Sequence, residues 1–432
     1  VMVRDPGGDL VRFRHDRVQQ AAYAAMDADQ RVELHLVVAR RLADHPECAG
    51  AAAQQYLCAV GSIDDPGECR RVATLFHQAA VGMRLTDAAT AERLLGAGID
   101  LLGRTETSDI ADLLLALVTE RHRMLYGLGR LDDADVAYAE IERRCVDPVD
   151  LLPPTTLQVA SLDNRQRHTE AVALGVDLLS RIGITTGADS EAELAEQREA
   201  VCAWATGLDL DRDLHRATTG EARVQQTAAL IGQTIPPAYM AGGGPNSWPS
   251  LMLTAQRLWD AEGPCPQLLA CLSLLPTIII AVRGDRRLAR SVGWHLLAVG
   301  DAHGFEPQVS CARAQFAALI QPWFEPVRRC VENIDLAREQ LIQGGQLQPV
   351  GNSYLISCDY GFQLSRALDV ADEIVSTGLA FALRTGNATT AGGITNHRQA
   401  IRALRGETVP GTFDDSEFSE VTHLSGGLGR VP

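Results

Sequence analysis

The sequence predicts an all-α protein, an array of antiparallel helix pairs stacked into a superhelix, with a short β-hairpin in front of it. Three observations carry that prediction. Apolar residues recur at three- and four-residue spacing from Asp16 almost to residue 405, interrupted only by short turn-like stretches. Ala and Leu dominate an apolar content of 46% while aromatics make up only 5%, a composition suited to closely packed helices. Similar helix–break–helix units also follow one another, and no such unit buries its apolar face without a neighbour. For 432 residues the length prior is about three domains of ~150 residues, a rule that repeat architectures do not follow.

The elements follow in chain order. Val1–Arg4 and Leu10–Arg14 are β-prone runs separated by Asp5-Pro6-Gly7-Gly8-Asp9, a turn-rich cluster that reads as a hairpin loop. Val stands at position 1, which reads either as the tail of a larger polypeptide or as an alternative start codon. The hairpin meets a helix at His15-Asp16-Arg17, where Asp16 and Gln19 have the spacing of an N-terminal capping pair. Arg17 is expected to pair locally, and Val18, Ala22 and Tyr23 to pack inward. Helices are then expected at Asp16–Met26, Asp29–Asp44, Ala49–Val60, Pro66–Leu85, Asp87–Leu102, Asp109–Leu128 and Asp132–Cys145. The last two form a hairpin, in which Gly127 and Gly129 end one helix and Asp132 and Asp133 begin the next.

Thr155–Asp163 and Arg167–Ile182 repeat that arrangement around a break at Asn164, followed by a loop at Gly183–Ser190 and a helix at Glu191–Trp204. Residues 235–249 run from Ile235-Pro236-Pro237 through Gly242-Gly243-Gly244-Pro245. They read as an irregular linker between a first array, residues 16–234, and a second, residues 250–405. In the second array helices are expected at Ser250–Glu262, Cys265–Val282, Arg286–His303, Pro307–Leu319, Glu325–Gln343, Ser353–Gly361, Arg366–Arg384 and Ala391–Leu404. Residues 406–432 are turn-rich and polar and read as a fraying tail.

Charge and composition remove several function classes. A net charge of −16 disfavours nonspecific binding to nucleic acid or to an anionic membrane. Every one of the 39 basic residues is Arg, so the chain cannot complete a P-loop, the lysine of a protein kinase or a Schiff base. The 10 cysteines form no C-x-x-C pair and read as reduced, cytoplasmic thiols packed as small apolar residues. The run Ala270–Val282 falls short of the ~20 residues that cross a bilayer and reads as a buried helix, so no membrane partner is expected.

Each candidate constellation has a structural reading that outweighs the chemical one. His15-Asp16-Arg17 has the reverse order of a kinase catalytic loop and no Asn at the required place, so it reads as a domain seam. Gly242-Gly243-Gly244 lacks the strand and the Lys of a phosphate cradle and reads as a connection. Tyr239, Trp248 and Trp259 offer a tentative aromatic groove, weighed against ordinary packing between helices. No paired histidines or activated nucleophile stand out, so no catalytic, cofactor-binding or metal-ligating residue and no cofactor is assigned.

Phe13-Arg14-His15-Asp16-Arg17-Val18-Gln19-Gln20-Ala21-Ala22-Tyr23, with Arg31-Val32-Glu33-Leu34-His35-Leu36 and Ala39-Arg40-Arg41-Leu42 after it, resembles a large family of bacterial signalling ATPases. In that family an AAA/STAND-type ATPase module ends in a winged helix and continues into tetratricopeptide-like repeats, often with a Ser/Thr kinase at one end. GAF and histidine-kinase or cyclase domains often stand at the other. The resemblance extends to Glu92–Leu102, Gly129–Arg144, Tyr360–Asn387 and Arg402–Phe418. It implies that residues 1–15 are the remnant of a winged helix and that the rest is a tetratricopeptide-like solenoid. The nucleotide-binding part would lie upstream of Val1, and no kinase or GAF motif is visible. The expected function is therefore a non-catalytic regulatory or interaction scaffold of a signal-transduction ATPase or kinase. Its concave surface would hold a protein, a peptide, another domain of the same polypeptide or a small-molecule effector. The alternatives are a segment of an ATP-dependent transcription regulator and an enzyme with a pocket between the Gly242 loop and Trp323. The acidic balance speaks against DNA contact by this segment itself.

Overall fold

Helices packed in sequential antiparallel pairs make up nearly all of the computed structural model, which describes residues 2–4, 11–13, 16–84, 86–104, 110–188, 190–241 and 248–423. Met2–Arg4 and Val11–Phe13 pair antiparallel with Val3 opposite Arg12. Residues 5–10, where the hairpin loop is expected, lie outside the described residues. The chain divides into two compact units, Val1–Val146 and Asp147–Pro432.

The first unit contains α1 (Asp16–Ala24), α2 (Ala28–Ala43), α3 (Ala49–Cys58), α4 (Pro66–Met83), α5 (Ala88–Gly103), α6 (Ala111–Gly127) and α7 (Leu131–Arg144). The helix starts are chemically marked. The Asp27 side chain accepts from the Gln30 N–H at 2.8 Å while Gln30 reaches back to the Asp27 N–H, a complete capping box. Asp65 and Asp87 cap α4 and α5 by accepting from the Glu68 and Thr90 N–H groups, and Asp132 and Asp133 lie in the first turn of α7, where the helix dipole favours them. The core gathers Tyr56, Ile63, Val72, Phe76, Leu94 and Leu101, all buried, with Ala39, Ala53 and Ala79 letting the backbones approach.

The second unit contains α8 (Leu152–Asn164), α9 (His168–Arg181), α10 (Glu191–Thr206), α11 (Leu210–His215), α12 (Ala222–Met240), α13 (Trp248–Glu262) and α14 (Pro266–Leu272). It continues with α15 (Leu275–Arg283), α16 (Arg286–His303), α17 (Gln308–Leu319), α18 (Val327–Gln343), α19 (Leu347–Leu364), α20 (Leu368–Arg384), α21 (Ala388–Leu404) and the short α22 (Glu420–His423). Helix ends here repeat one device: the N–H after a left-handed residue bonds back to a carbonyl five positions earlier. Phe305 bonds to Gly300, Gln346 to Leu341 and Asn387 to Ala382, each at 2.9 Å, around Gly304, Gly345 and Gly386.

Four expectations change. The 235–249 stretch lies inside the second unit rather than at its edge, because α12 runs through Pro236-Pro237 to Met240 and packs against α8, α9, α13 and α14. Neither α12 nor α11 is visible in the periodicity. The apolar stretch expected as one helix over Cys265–Val282 is two, α14 and α15. Pro276 lacks an N–H, and in an unbroken helix its ring would meet the carbonyl of Leu272, where α14 ends. This 266–283 stretch has a mean hydropathy of 1.7, and half of it is buried inside the protein. Residues 406–423, read as part of a fraying tail, are tied to α21: Gln399 donates to the Phe413 carbonyl at 2.9 Å and to Asp415 at 2.7 Å.

Candidate functional site

The residues singled out at the junction scatter. His15 lies outside the described residues, as do the side chains of Asp16, Val18, Gln19 and Ala22, so the capping pair falls there too. Arg17 is exposed and forms no ion pair among the described residues. Tyr23, expected to pack inward, is 40% exposed. It sits in the last turn of α1, where its hydroxyl meets His35 Nε2 at 2.9 Å and the Arg31 guanidinium lies 4.9 Å from its ring. Its partners all come from α2, so one side of the ring is left to solvent.

The aromatic groove does not assemble. Trp259 is fully buried, Trp248 is 9% exposed and Tyr239 is 58% exposed. Trp259 instead donates its indole N–H at 3.2 Å to Asp213, a carboxylate with no exposed surface. The glycine run 242–244 lies outside the described residues.

Around Asp213 the structure builds a polar network that periodicity does not reveal. One carboxylate oxygen accepts from Arg212 Nε at 2.9 Å; the other accepts from Trp259 and pairs with His295 Nε2 at 3.0 Å. Burial pushes the Asp213 carboxyl up, but the hydrogen bonds from Arg212, Trp259 and His295 outweigh it and hold it below its ordinary value. Burial likewise pushes the His295 imidazole down, against the pull of Asp213. A neutral His295 therefore donates its Nε2 proton to an ionised Asp213. With Asp213 and Trp259 fully buried and His295 6% exposed, the cluster locks α11, α13 and α16 together.

The first unit uses buried carboxylates for the same purpose. Glu68, Glu92 and Glu120 are each under 9% exposed, and each is clamped by arginine from outside its own helix. Arg40 of α2 grips Glu68 of α4 at 2.7 and 2.9 Å, and Arg84 grips Glu120 of α6 at 2.8 and 3.1 Å. Arg121 and Arg130 meet Glu92 at 2.9 and 3.2 Å. The Arg40 hydrogen bond holds the Glu68 carboxyl below its ordinary value against the burial that would raise it.

An open groove of about 730 Å³ lies between α18, α19 and α20. Arg338 forms its floor, with its guanidinium 4.3 Å from the Tyr354 ring and hydrogen-bonded to Asp335 and Ser353 at 2.8 Å each, and also to Ser357. Ser353 and Ser357 stand one helical turn apart on α19, and that pair of small hydroxyls is the sequence signal that could have marked the groove. Gly361 lets α20 come close, since a Cβ there would lie 2.7 Å from Ile374. The rim carries Leu364, 40% exposed, and Val370, 51% exposed. Arg328 and Arg366 stand on the same rim with no ion-pair partner among the described residues.

With this geometry in view, no protein-family model and no curated protein matches the chain. Among the described residues no three His, Cys, Asp or Glu side chains converge to hold a metal ion.

Proposed function

We propose that the chain is a non-catalytic interaction segment whose α18–α20 groove holds a peptide or an exposed segment of a protein partner. The groove carries the reading. Its floor is an arginine fixed on three sides, while its rim keeps apolar side chains in solvent beside two arginines without ion-pair partners among the described residues. Peptide-binding surfaces on stacked helix pairs combine those properties: pockets for apolar anchors and polar groups that set register. In finer detail the array is a tetratricopeptide-like solenoid. The resemblance of Phe13–Tyr23 supports its place as a regulatory segment behind the winged helix of a cytoplasmic bacterial signalling ATPase, where partner binding would bias the nucleotide switch.

The test is a displayed-peptide selection against the whole chain, followed by affinity measurement on Val370→Asp and Arg366→Glu. Both residues are exposed, so folding is kept while the rim changes. Selected peptides are expected to lose about tenfold or more in affinity on either variant. Binding unaffected by both variants, or tight ATP binding by the chain itself, refutes the reading.

A further inference from the structure

A second surface, sharing no residue with that groove, is organised around two stacked guanidiniums. Arg286, Arg290 and Trp294 stand four residues apart along α16 and form one stripe. The Arg286 guanidinium lies 4.1 Å from the Trp323 ring centroid and that of Arg290 lies 4.8 Å from Phe324. Trp294 meets Phe316 edge to face at 5.4 Å. Trp294 and Trp323 are 49% and 54% exposed, and Leu319 beside them is 46% exposed.

Arg338 and Arg31, two other arginines stacked on rings, have N–H groups engaged within the protein. Arg338 donates to Asp335 and the α19 serines, and Arg31 donates to the Tyr23 and Ala24 carbonyls at 3.1 Å each. The Arg286 and Arg290 guanidiniums have no hydrogen-bond or ion-pair partner among the described residues. The neighbouring acids are engaged elsewhere. Asp285 caps α16 through the Leu288 N–H at 2.9 Å, and Glu325 accepts from Gln321 at 2.9 Å. A guanidinium lying on an aromatic ring keeps its five N–H donors directed in its plane, where a carboxylate accepts two of them at once. Two such groups one helical turn apart, about 6 Å along the axis, match two carboxylates at the same spacing. Exposed tryptophans beside unpaired arginines are also the composition that dominates protein-binding hot spots.

We infer that this face of α16 and the turn after α17 docks an acidic peptide segment of a partner protein. Its two carboxylates pair with Arg286 and Arg290, and its apolar side chains pack on Trp294 and Trp323. The net charge of −16 selects a short ligand with few carboxylates over a nucleic acid, whose phosphates would face the field of the whole chain.

The experiment uses the full chain and a fluorescein-labelled helical peptide carrying Glu at positions i and i+4 with leucines around them, beside its Glu→Gln analogue. Micromolar binding of the Glu peptide is expected, weaker by about tenfold or more for the Gln analogue and for Arg286→Gln/Arg290→Gln. Trp294→Ala is expected to weaken it as well, and Val370→Asp in the α18–α20 groove to leave it unchanged. Circular dichroism confirms that the variants fold. Absence of binding, equal binding of the Gln analogue, full affinity in the double variant, or displacement of the peptide by an equimolar dT oligonucleotide overturns the proposal.

Discussion

Replacing Asp213 by Ala removes the acceptor for three donors at once, two of them buried. Trp259 is fully buried and His295 is 6% exposed, so neither N–H regains water when the carboxylate is gone. An orphaned buried donor costs about 1–3 kcal/mol, and two give roughly 2–6 kcal/mol. Arg212 adds little, since its side chain is 48% exposed and recovers solvent. A loss of about 3–5 kcal/mol is expected, in line with removing one member of a buried pair. Asp213→Asn keeps an acceptor oxygen for Trp259 and His295, which share one carboxylate oxygen, and turns its NH2 toward the half-exposed Arg212, so a clearly smaller loss than for Asp213→Ala is expected. Urea unfolding followed by tryptophan fluorescence and circular dichroism measures both. A loss below ~1 kcal/mol for Asp213→Ala refutes the argument that this network locks α11, α13 and α16. The same cluster sets a pH dependence. Burial holds the folded His295 below the ordinary histidine value of about 6.5, so on acidification the unfolded chain takes up the proton first. The stability tied to neutral His295 is complete above about pH 6.5 and is lost as pH falls through the depressed folded value. Asp213, also depressed, acts in the same direction at lower pH, with its contribution complete above about pH 3.9. His295→Gln should flatten the slope just below pH 6.5 while leaving the lower one.

Three further outcomes follow from local geometry. Gln166 ends α8 in the left-handed region at φ 60°, where the Arg167 N–H bonds back to the Leu162 carbonyl at 2.9 Å. Gln166→Gly should therefore stabilise by about 0.5–1 kcal/mol, and an unchanged or lower melting temperature refutes the strain. A Cβ at Gly293 would lie 2.3 Å from the Phe316 ring, so Gly293→Ala should destabilise by about 1–3 kcal/mol in urea unfolding, and neutrality would mean the ring moves freely. Native thiol titration with a disulfide reagent should label exposed Cys58 well before Cys311 and Cys358, whose thiols burial pushes up to about 11 and about 12. Equal rates for all three would show that the second unit opens readily.

Much of the fold is legible residue by residue because helices are local objects. The capping aspartates at Asp65 and Asp87 and the left-handed glycines at Gly129, Gly304 and Gly386 mark boundaries within a residue or two of those observed. α12 shows the limit. Gly232, Thr227, Thr234 and Pro236-Pro237 are poor helix formers, and the helix buries residues from Val224 to Ala238 because α8 and α9 meet it as well as α13 and α14. Contacts on several sides leave no amphipathic stripe to read, and tertiary burial outweighs propensity. The tail is a similar case, since Gln399 and Asp415 are 16 residues apart in sequence and their bond exists only once α21 is formed.

The candidate surfaces are harder still. Trp259 was drawn toward a groove by its aromatic type, yet its place is set by a carboxylate 46 residues away. Glu68, Glu92 and Glu120 look like solvated helix faces until an arginine from another helix closes over each. By itself the sequence determined the helical array and most of its turns, because spacing, capping and composition act over a few residues. Only the tertiary structure decided which carboxylates are buried, which arginines are left without partners, and where a groove opens. Those properties depend on what stands opposite each side chain, and for Glu68, Glu92, Glu120 and Trp259 that partner is 28 to 46 residues away.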